Sequence, residues 1–230
     1  MRDAREAPAG FPTFLRQCIA RGLSIESVLD VGVGNGTPWL YDAFPDTELM
    51  LFEPLGEVFQ EAISAIIAQR AGARHFPVAL GDAPGEATIH VAGSTPTSSS
   101  LLPTSQDLMD ALDREGRDSG SKPLTVEVDV LDNYDPIVGR NVLKIDAEGF
   151  ELPILTGGQQ VLRKSELVIL EVSLMPRYEG EAALSDILRF MESQGFALYE
   201  IIELSRRRPD APSAFMDVAF VPERSALRVF

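Results

Sequence analysis

"SVLDVGVGNG", residues 27–36, decides the fold. Ser27 to Val31 is a short, mostly apolar run, of strand length and bounded by glycines. It runs directly into Gly32, Gly34 and Gly36. A strand that turns into a helix through glycines brings backbone N–H groups close to a ligand. "TPWLYDAF" (37–44) follows as a short helix, with Pro38 in its first turn, where a missing N–H costs least. "TELMLFEP" (47–54) reads as the next strand. "EVFQEAISAIIAQR" (57–70) is a helix with Phe59, Ile63, Ile66 and Ile67 on one side, and "ARHFPVALGD" (73–82) a third strand. This β-α-β-α-β order predicts a parallel sheet wrapped by helices.

The pattern changes further along. "GEATIHVA" (85–92) alternates weakly, as an added antiparallel strand does. "GSTPTSSSLLPTS" (93–105) is rich in Ser, Thr and Pro, hence a loop. "SQDLMDALDREG" is a short helix stopped by Gly116, and "LTVEVDVL" (124–131) alternates strictly, a half-exposed antiparallel strand. "NVLKIDAEGFELPI" (141–154) is a buried strand leading into a helix expected over 151–164. "ELVILEVSL" (166–174), a helix over 181–194 and two last strands complete the chain. The loop between those last strands, "SRRRPDAPSA" (205–214), lacks a crossover helix, so they pair as an antiparallel hairpin. The expected architecture is one α/β domain over 1–230, with a mostly parallel central sheet, a C-terminal antiparallel hairpin and a lid-like insertion at about 85–130. The first helix, within 11–23, places Phe14, Leu15, Cys18 and Ile19 on one face and ends at Gly22; Cys18 reads as a buried structural thiol.

Composition narrows the function classes. The chain has 230 residues and a formal charge of −15, with 35 acids against 20 Lys and Arg. A field of that sign repels phosphate backbones, so nucleic acid is not an expected partner. The short basic run Arg206–Arg208 reads as a solvated turn. No apolar run reaches the roughly 18 residues of a membrane span. The single cysteine fits a reducing cytosol, and "MRDAREAPAGFPTFL" has no signal core, so a cytoplasmic protein is expected. Self-association is left open.

The glycines follow G-x-G-x-G. The dinucleotide fingerprint G-x-G-x-x-G would put its third glycine at Thr37. Glu53 closes the following strand, where an acid can accept from both ribose hydroxyls of a nucleoside. Asp30, two residues before Gly32, can face a ligand ammonium. Together Asp30, Gly32, Gly34, Gly36 and Glu53 favour S-adenosylmethionine over NAD. Asp82, after the third strand, is placed to meet an adenine amino group or simply to start a turn.

These residues resemble the FkbM-type family of S-adenosylmethionine-dependent methyltransferases. The matching pieces are "LDVGVGNG", "LFEP", "VALGDAPGEATI", "TSSSLL", "VDVLDNY" and above all "LKIDAEGFE", spanning about 28 to 174. "VGVGNG" departs from the "VGANxG" common in the family, and Phe150 takes a position often held by His or a small residue. The resemblance implies a Rossmann-like methyltransferase fold and methylation of a hydroxyl oxygen on a sugar or natural-product scaffold, such as a glycoside or polyketide alcohol.

In such a fold Asp146 ends a strand bordering the crevice where ligands bind, facing the cofactor or the incoming hydroxyl. Glu148 follows over the same pocket, while Glu151 reads as a helix-start acid that offsets the macrodipole. Lys144 can pair with either of the first two. Asp146 and Glu148 are the candidate bases, and His90 joins them if it faces inward, since its pKa lies near neutral; His75 reads as surface or core. Asp146, Glu148 and Glu171 offer oxygen ligands of the kind Mg²⁺ accepts, without a spacing that defines a metal site. The Ser/Thr segment 94–100 is a candidate lid. Two other readings share the glycine features: an NAD-dependent oxidoreductase, and a non-catalytic nucleoside-binding or protein-interaction domain.

Overall fold

The structure is a computed structural model that describes residues 10–93, 95–117, 120–206 and 212–229. Ser94 of the Ser/Thr segment, Arg207 and Arg208 of the basic run, and the N-terminal residues 1–9 lie outside the described residues.

In chain order, the first half contains α1 (Gly10–Ala20), β1 (Ser27–Val31), α2 (Pro38–Ala43), β2 (Glu48–Phe52), α3 (Gln60–Gln69), β3 (Ala73–Phe76), β4 (Ala79–Gly81), β5 (Gly85–Ala92) and α4 (Gln106–Arg114). The second half contains β6 (Ser121–Val130), β7 (Asn141–Ile145), α5 (Glu151–Thr156), α6 (Gln159–Leu162), β8 (Ser165–Ser173), α7 (Leu184–Ser193), β9 (Phe196–Arg206) and β10 (Ser213–Pro222). The central sheet has the order β3-β2-β1-β7-β8-β10-β9. Its first five strands are parallel, and β10 runs antiparallel to both β8 and β9. This is the Rossmann-like methyltransferase fold that the resemblance implied.

Strand periodicity explains the two-sided cover. Side chains alternate between the faces of a strand. Val28, Leu49, Leu51 and Val142 pack with Phe14, Leu15, Leu40 and Ile63 of α1, α2 and α3. Their neighbours Leu29, Met50, Phe52 and Leu143 pack with Ile154, Leu162, Ile187 and Met191 of α5, α6 and α7. Cys18 is buried in the first cluster, and burial pushes its thiol up to about 11. Ile19 and Ile67, expected on apolar faces, are 38% and 40% exposed.

Two elements differ from expectation. "ARHFPVALGD" is not one strand: it breaks at Pro77, whose ring leaves no N–H for a ladder. β3 joins the central sheet, while β4 turns away into a second sheet of order β4-β6-β5. The helix expected over 151–164 breaks at Gly157 and Gly158 into α5 and α6. A Cβ on Gly157 would lie 2.1 Å from the carbonyl oxygen of Gly81, so the chains meet there only because glycine has no side chain.

The strand order reverses between β1 and β7. A crevice opens at the carboxyl ends of the strands at such a switch point. Gly32 follows β1 and Asp146 follows β7, so both motif turns sit there. Their contact is close: a Cβ on Gly32 would lie 1.9 Å from the Asp146 carbonyl oxygen.

Candidate active site

The glycine turn uses all three glycines. Gly32, Gly34 and Gly36 have φ of 74°, 50° and 90°, the left-handed region that side chains disfavour. Glu53 reaches across to this turn from the end of β2. One carboxylate oxygen accepts from the Gly34 N–H at 2.9 Å and the other from the Leu55 N–H at 2.9 Å. Burial raises the pKa of Glu53, and the two amides oppose that rise. Two of its roughly four lone-pair sites are taken, which leaves acceptor capacity for ribose hydroxyls. His75, expected at the surface or in the core, sits with Nε2 3.0 Å from the Glu53 carbonyl oxygen.

The acid-bearing turn lies on the neighbouring strand. Lys144 Nζ lies 3.1 Å from an Asp30 oxygen, 3.5 Å from Asp146 and 3.1 Å from the Gly32 carbonyl oxygen. Burial alone would lower its pKa, but the two carboxylates outweigh burial and raise it. Glu148 has φ 52°, alone among the described non-glycine residues in having positive φ, at a strain of about 1–3 kcal/mol. Its carboxylate accepts from Arg177 at 3.0 Å and from the Tyr178 hydroxyl at 2.8 Å, and its carbonyl accepts from Ser100 Oγ at 2.7 Å. Glu171 bonds the other arm of Arg177 at 2.7 Å. Burial, with Asp146 and Glu148 nearby, pushes the Glu171 carboxyl well up. Glu151 caps the turn from below, accepting from the Ala147 and Gly149 N–H groups at 3.0 and 3.1 Å. Its burial pushes it up to about 7.

Residues 30–198 match the Methyltransferase FkbM domain, well over half of the chain. The chain belongs to the FkbM family of S-adenosylmethionine-dependent methyltransferases. The match reaches past the quoted motifs, through α7 into β9. A crystal structure of a methyltransferase FkbM from Methylobacillus flagellatus superposes with a TM-score of 0.51 at 14% identity, over 84% of this chain and 43% of that one. The chain thus spans less than half the length of that protein, and the likeness is one of fold. The magnesium protoporphyrin IX methyltransferase of Synechocystis, solved with bound S-adenosylmethionine, matches at a TM-score of 0.46 and 10% identity, over 93% of this chain and 80% of that one. No curated protein matches the sequence.

Within this family framework the expected site residues divide. Gly32, Gly34, Gly36 and Glu53 meet at one turn, and Asp146 stands behind Gly32. Asp30, expected to face a ligand ammonium, sits beneath the glycine turn. It is fully buried, with one oxygen accepting from Thr37 at 2.7 Å and from the Tyr41 hydroxyl and the other beside Lys144. A carboxylate so engaged ties the glycine turn to α2 and to Lys144. His90, a candidate base if it faces inward, is half-buried on β5. Ile89 packs into the core, so His90 points to the opposite face of β5. Its backbone bridges Ser100, but among the described residues its ring bonds none of the acids.

Asp82 is exposed and lines a cleft of about 480 Å³ with Leu102, Gly149, Phe150, Leu152 and Glu181, whereas no glycine-turn residue lines it. Thr97 of the Ser/Thr segment packs on the glycine turn, its Cγ2 3.2 Å from where a Gly34 Cβ would stand. Sequence reasoning missed Arg177 and Tyr178. They lie in "SLMPRYEG" (173–180), a loop with no motif spacing to signal them.

The donor set suits the family's cofactor. The left-handed glycines open the turn, and Glu53 keeps acceptor sites for hydroxyls. Oxygens of Asp146, Glu148 and Glu171 lie within 4.8 Å of one another, close enough to share one cation.

Proposed function

We propose that the protein transfers a methyl group from S-adenosylmethionine to a hydroxyl oxygen of a neutral, partly apolar acceptor such as a glycoside or polyketide alcohol. The observation that carries this reading is the meeting of Gly32, Gly34 and Glu53 with Asp146 at the switch point. Glu53 would hold the ribose hydroxyls, and the glycine turn would let the backbone approach the nucleoside. When bound, the cofactor supplies an electrophilic methyl on a sulfonium.

The chain must then align the acceptor oxygen, exclude water and take its proton. Asp146 is the favoured proton acceptor. Its side chain is 30% exposed, against 11% for Glu148 and 6% for Glu171, and neither arm of Arg177 bonds it. The 480 Å³ cleft has the size of a small-molecule site and touches the acid-bearing turn through Gly149. Its lining combines Leu102, Phe150, Leu152 and Pro153 with Asp82, Glu181 and Asp186 and contains no Lys or Arg, which suits a neutral acceptor over an anionic one.

Calorimetry with S-adenosylhomocysteine and NAD, followed by isotope transfer from methyl-labelled S-adenosylmethionine to a panel of neutral glycosides and polyketide alcohols, tests the reading. Micromolar binding of S-adenosylhomocysteine and an O-methyl product are expected. NAD binding without S-adenosylhomocysteine binding would restore the oxidoreductase reading. The position a dinucleotide site needs as glycine is Thr37, whose hydroxyl is spent on Asp30. Nucleoside binding with no transfer to any acceptor would leave the non-catalytic binding domain.

A further inference from the structure

We propose that Arg177 is the resident cation of the carboxylate trio Asp146, Glu148 and Glu171, standing where a divalent ion would otherwise be needed. Three carboxylates sharing so small a space repel one another. That repulsion is relieved by protonation, by a metal ion or by an organic cation placed among them. Here the third solution is built into the fold. One guanidinium arm lies 3.0 Å from Glu148, the other 2.7 Å from Glu171, and Nε donates to Ser173 Oγ at 2.9 Å. The planar fork of arginine bridges two carboxylates in a way that a lysine point charge does not.

The arginine is also fixed in place. Its side chain is 12% exposed. Its guanidinium carbon lies 4.7 Å from the Phe215 ring centroid and 5.4 Å from that of Tyr178. Its backbone N–H donates to Glu181, and its carbonyl accepts from the Ser105 N–H at 2.9 Å. A divalent ion bound by Glu148 and Glu171 would compete with the guanidinium that already holds both, while Lys144 stands 3.5 Å from Asp146. Swinging the charge away would break three side-chain hydrogen bonds and two ring contacts.

Arg177 is therefore a positioning residue. With Tyr178 and Ser100 it holds Glu148 in its left-handed backbone conformation, and it leaves Asp146 as the open carboxylate of the three. On the methyl-transfer reading, on which this consequence alone rests, turnover needs no added divalent ion.

The test uses Mn²⁺ alone as the probe, followed by electron paramagnetic resonance and thermal melting of the full chain. Wild-type protein should show no tight Mn²⁺ site and no shift in Tm with Mn²⁺. Arg177→Met should melt several degrees lower and gain one Mn²⁺ site that restores much of the loss. The double variant Arg177→Met/Glu171→Gln should lack that site. Arg177→Lys, which keeps the charge, should gain no Mn²⁺ site. A single tight site in the wild type that Glu171→Gln abolishes would overturn the proposal, as would a folded Arg177→Met indifferent to Mn²⁺. If Arg177→Met does not fold, Arg177→Gln, uncharged but hydrogen-bonding, carries the same titration, and its indifference to Mn²⁺ would likewise overturn the proposal. Calorimetry with S-adenosylhomocysteine on the wild type separates the two readings. Its failure would remove the methyltransferase assignment and leave the Mn²⁺ result standing.

Discussion

Two turns stand side by side at the switch point and are built in opposite ways. The glycine turn after β1 takes positive φ at Gly32, Gly34 and Gly36, where no side chain resists it. The acid-bearing turn after β7 takes positive φ at Glu148, where a side chain does resist it. The first turn takes its shape from glycines within a few positions, and distant Glu53 and Lys144 bond to it. In the second, Glu151 caps the turn locally, but strained Glu148 itself is held by residues far away in sequence: Ser100 on its carbonyl, Arg177 and Tyr178 on its carboxylate. The comparison teaches that a shape required for close approach is encoded locally, whereas a strained charged conformation needs tertiary partners to hold it.

The sharpest way to break this pairing is at the point where the two turns touch. Gly32→Ala would drive a Cβ to 1.9 Å from the Asp146 carbonyl oxygen and force a left-handed alanine. A loss of about 4 kcal/mol or more is expected in urea denaturation, or no folded protein at all. A folded Gly32→Ala within about 1 kcal/mol of the wild type would show that the turns do not constrain each other.

Glu53→Ala removes the distant half of the glycine turn. It should weaken S-adenosylhomocysteine binding by about 1.5–3 kcal/mol, the scale of hydrogen bonds to a charged group. Calorimetry reads this directly, and unchanged affinity would detach Glu53 from the cofactor.

The acid-bearing turn should show itself in pH dependence. The folded pKa of Glu151 is raised to about 7 from an ordinary 4.5. Between those values the folded state binds the proton more strongly than the unfolded state does. Its contribution to stability is therefore present at low pH and is lost as pH rises from about 4.5 through 7. Burial raises Glu53 and Glu171 in the same direction. Denaturation at pH 5.5 and 8 should find the wild type relatively more stable at the lower value, with Glu151→Gln flattening the difference by about 1–2 kcal/mol. An equal pH response in both proteins would assign the effect elsewhere.

The smallest effect is expected at His90, whose side chain leaves β5 on the face opposite Ile89. His90→Ala should leave stability within about 0.5 kcal/mol, as for a surface change away from packed features. It should also leave S-adenosylhomocysteine affinity unchanged. A large loss of either would return His90 to the site.

The sequence by itself determined the parallel sheet, its C-terminal hairpin and the glycine turn with its acid partner. Each depends on periodicity or on glycine spacing along a short stretch, and such local patterns survive without knowledge of contacts. It also carried the family, through motifs confined to single turns. Tertiary structure alone decided what the acids do. Asp30 became a buried lock because Thr37, Tyr41 and Lys144 converge on it, and Glu151 became a cap because the turn above it exposes two N–H groups. The break at Gly157 likewise waits on Gly81, which arrives from another sheet. Arg177 pairs with Glu148 across 29 residues and lies beyond any spacing rule. A carboxylate's role depends on which cation and which N–H groups reach it, and those neighbours are chosen by how strands and loops pack, not by their order in the chain.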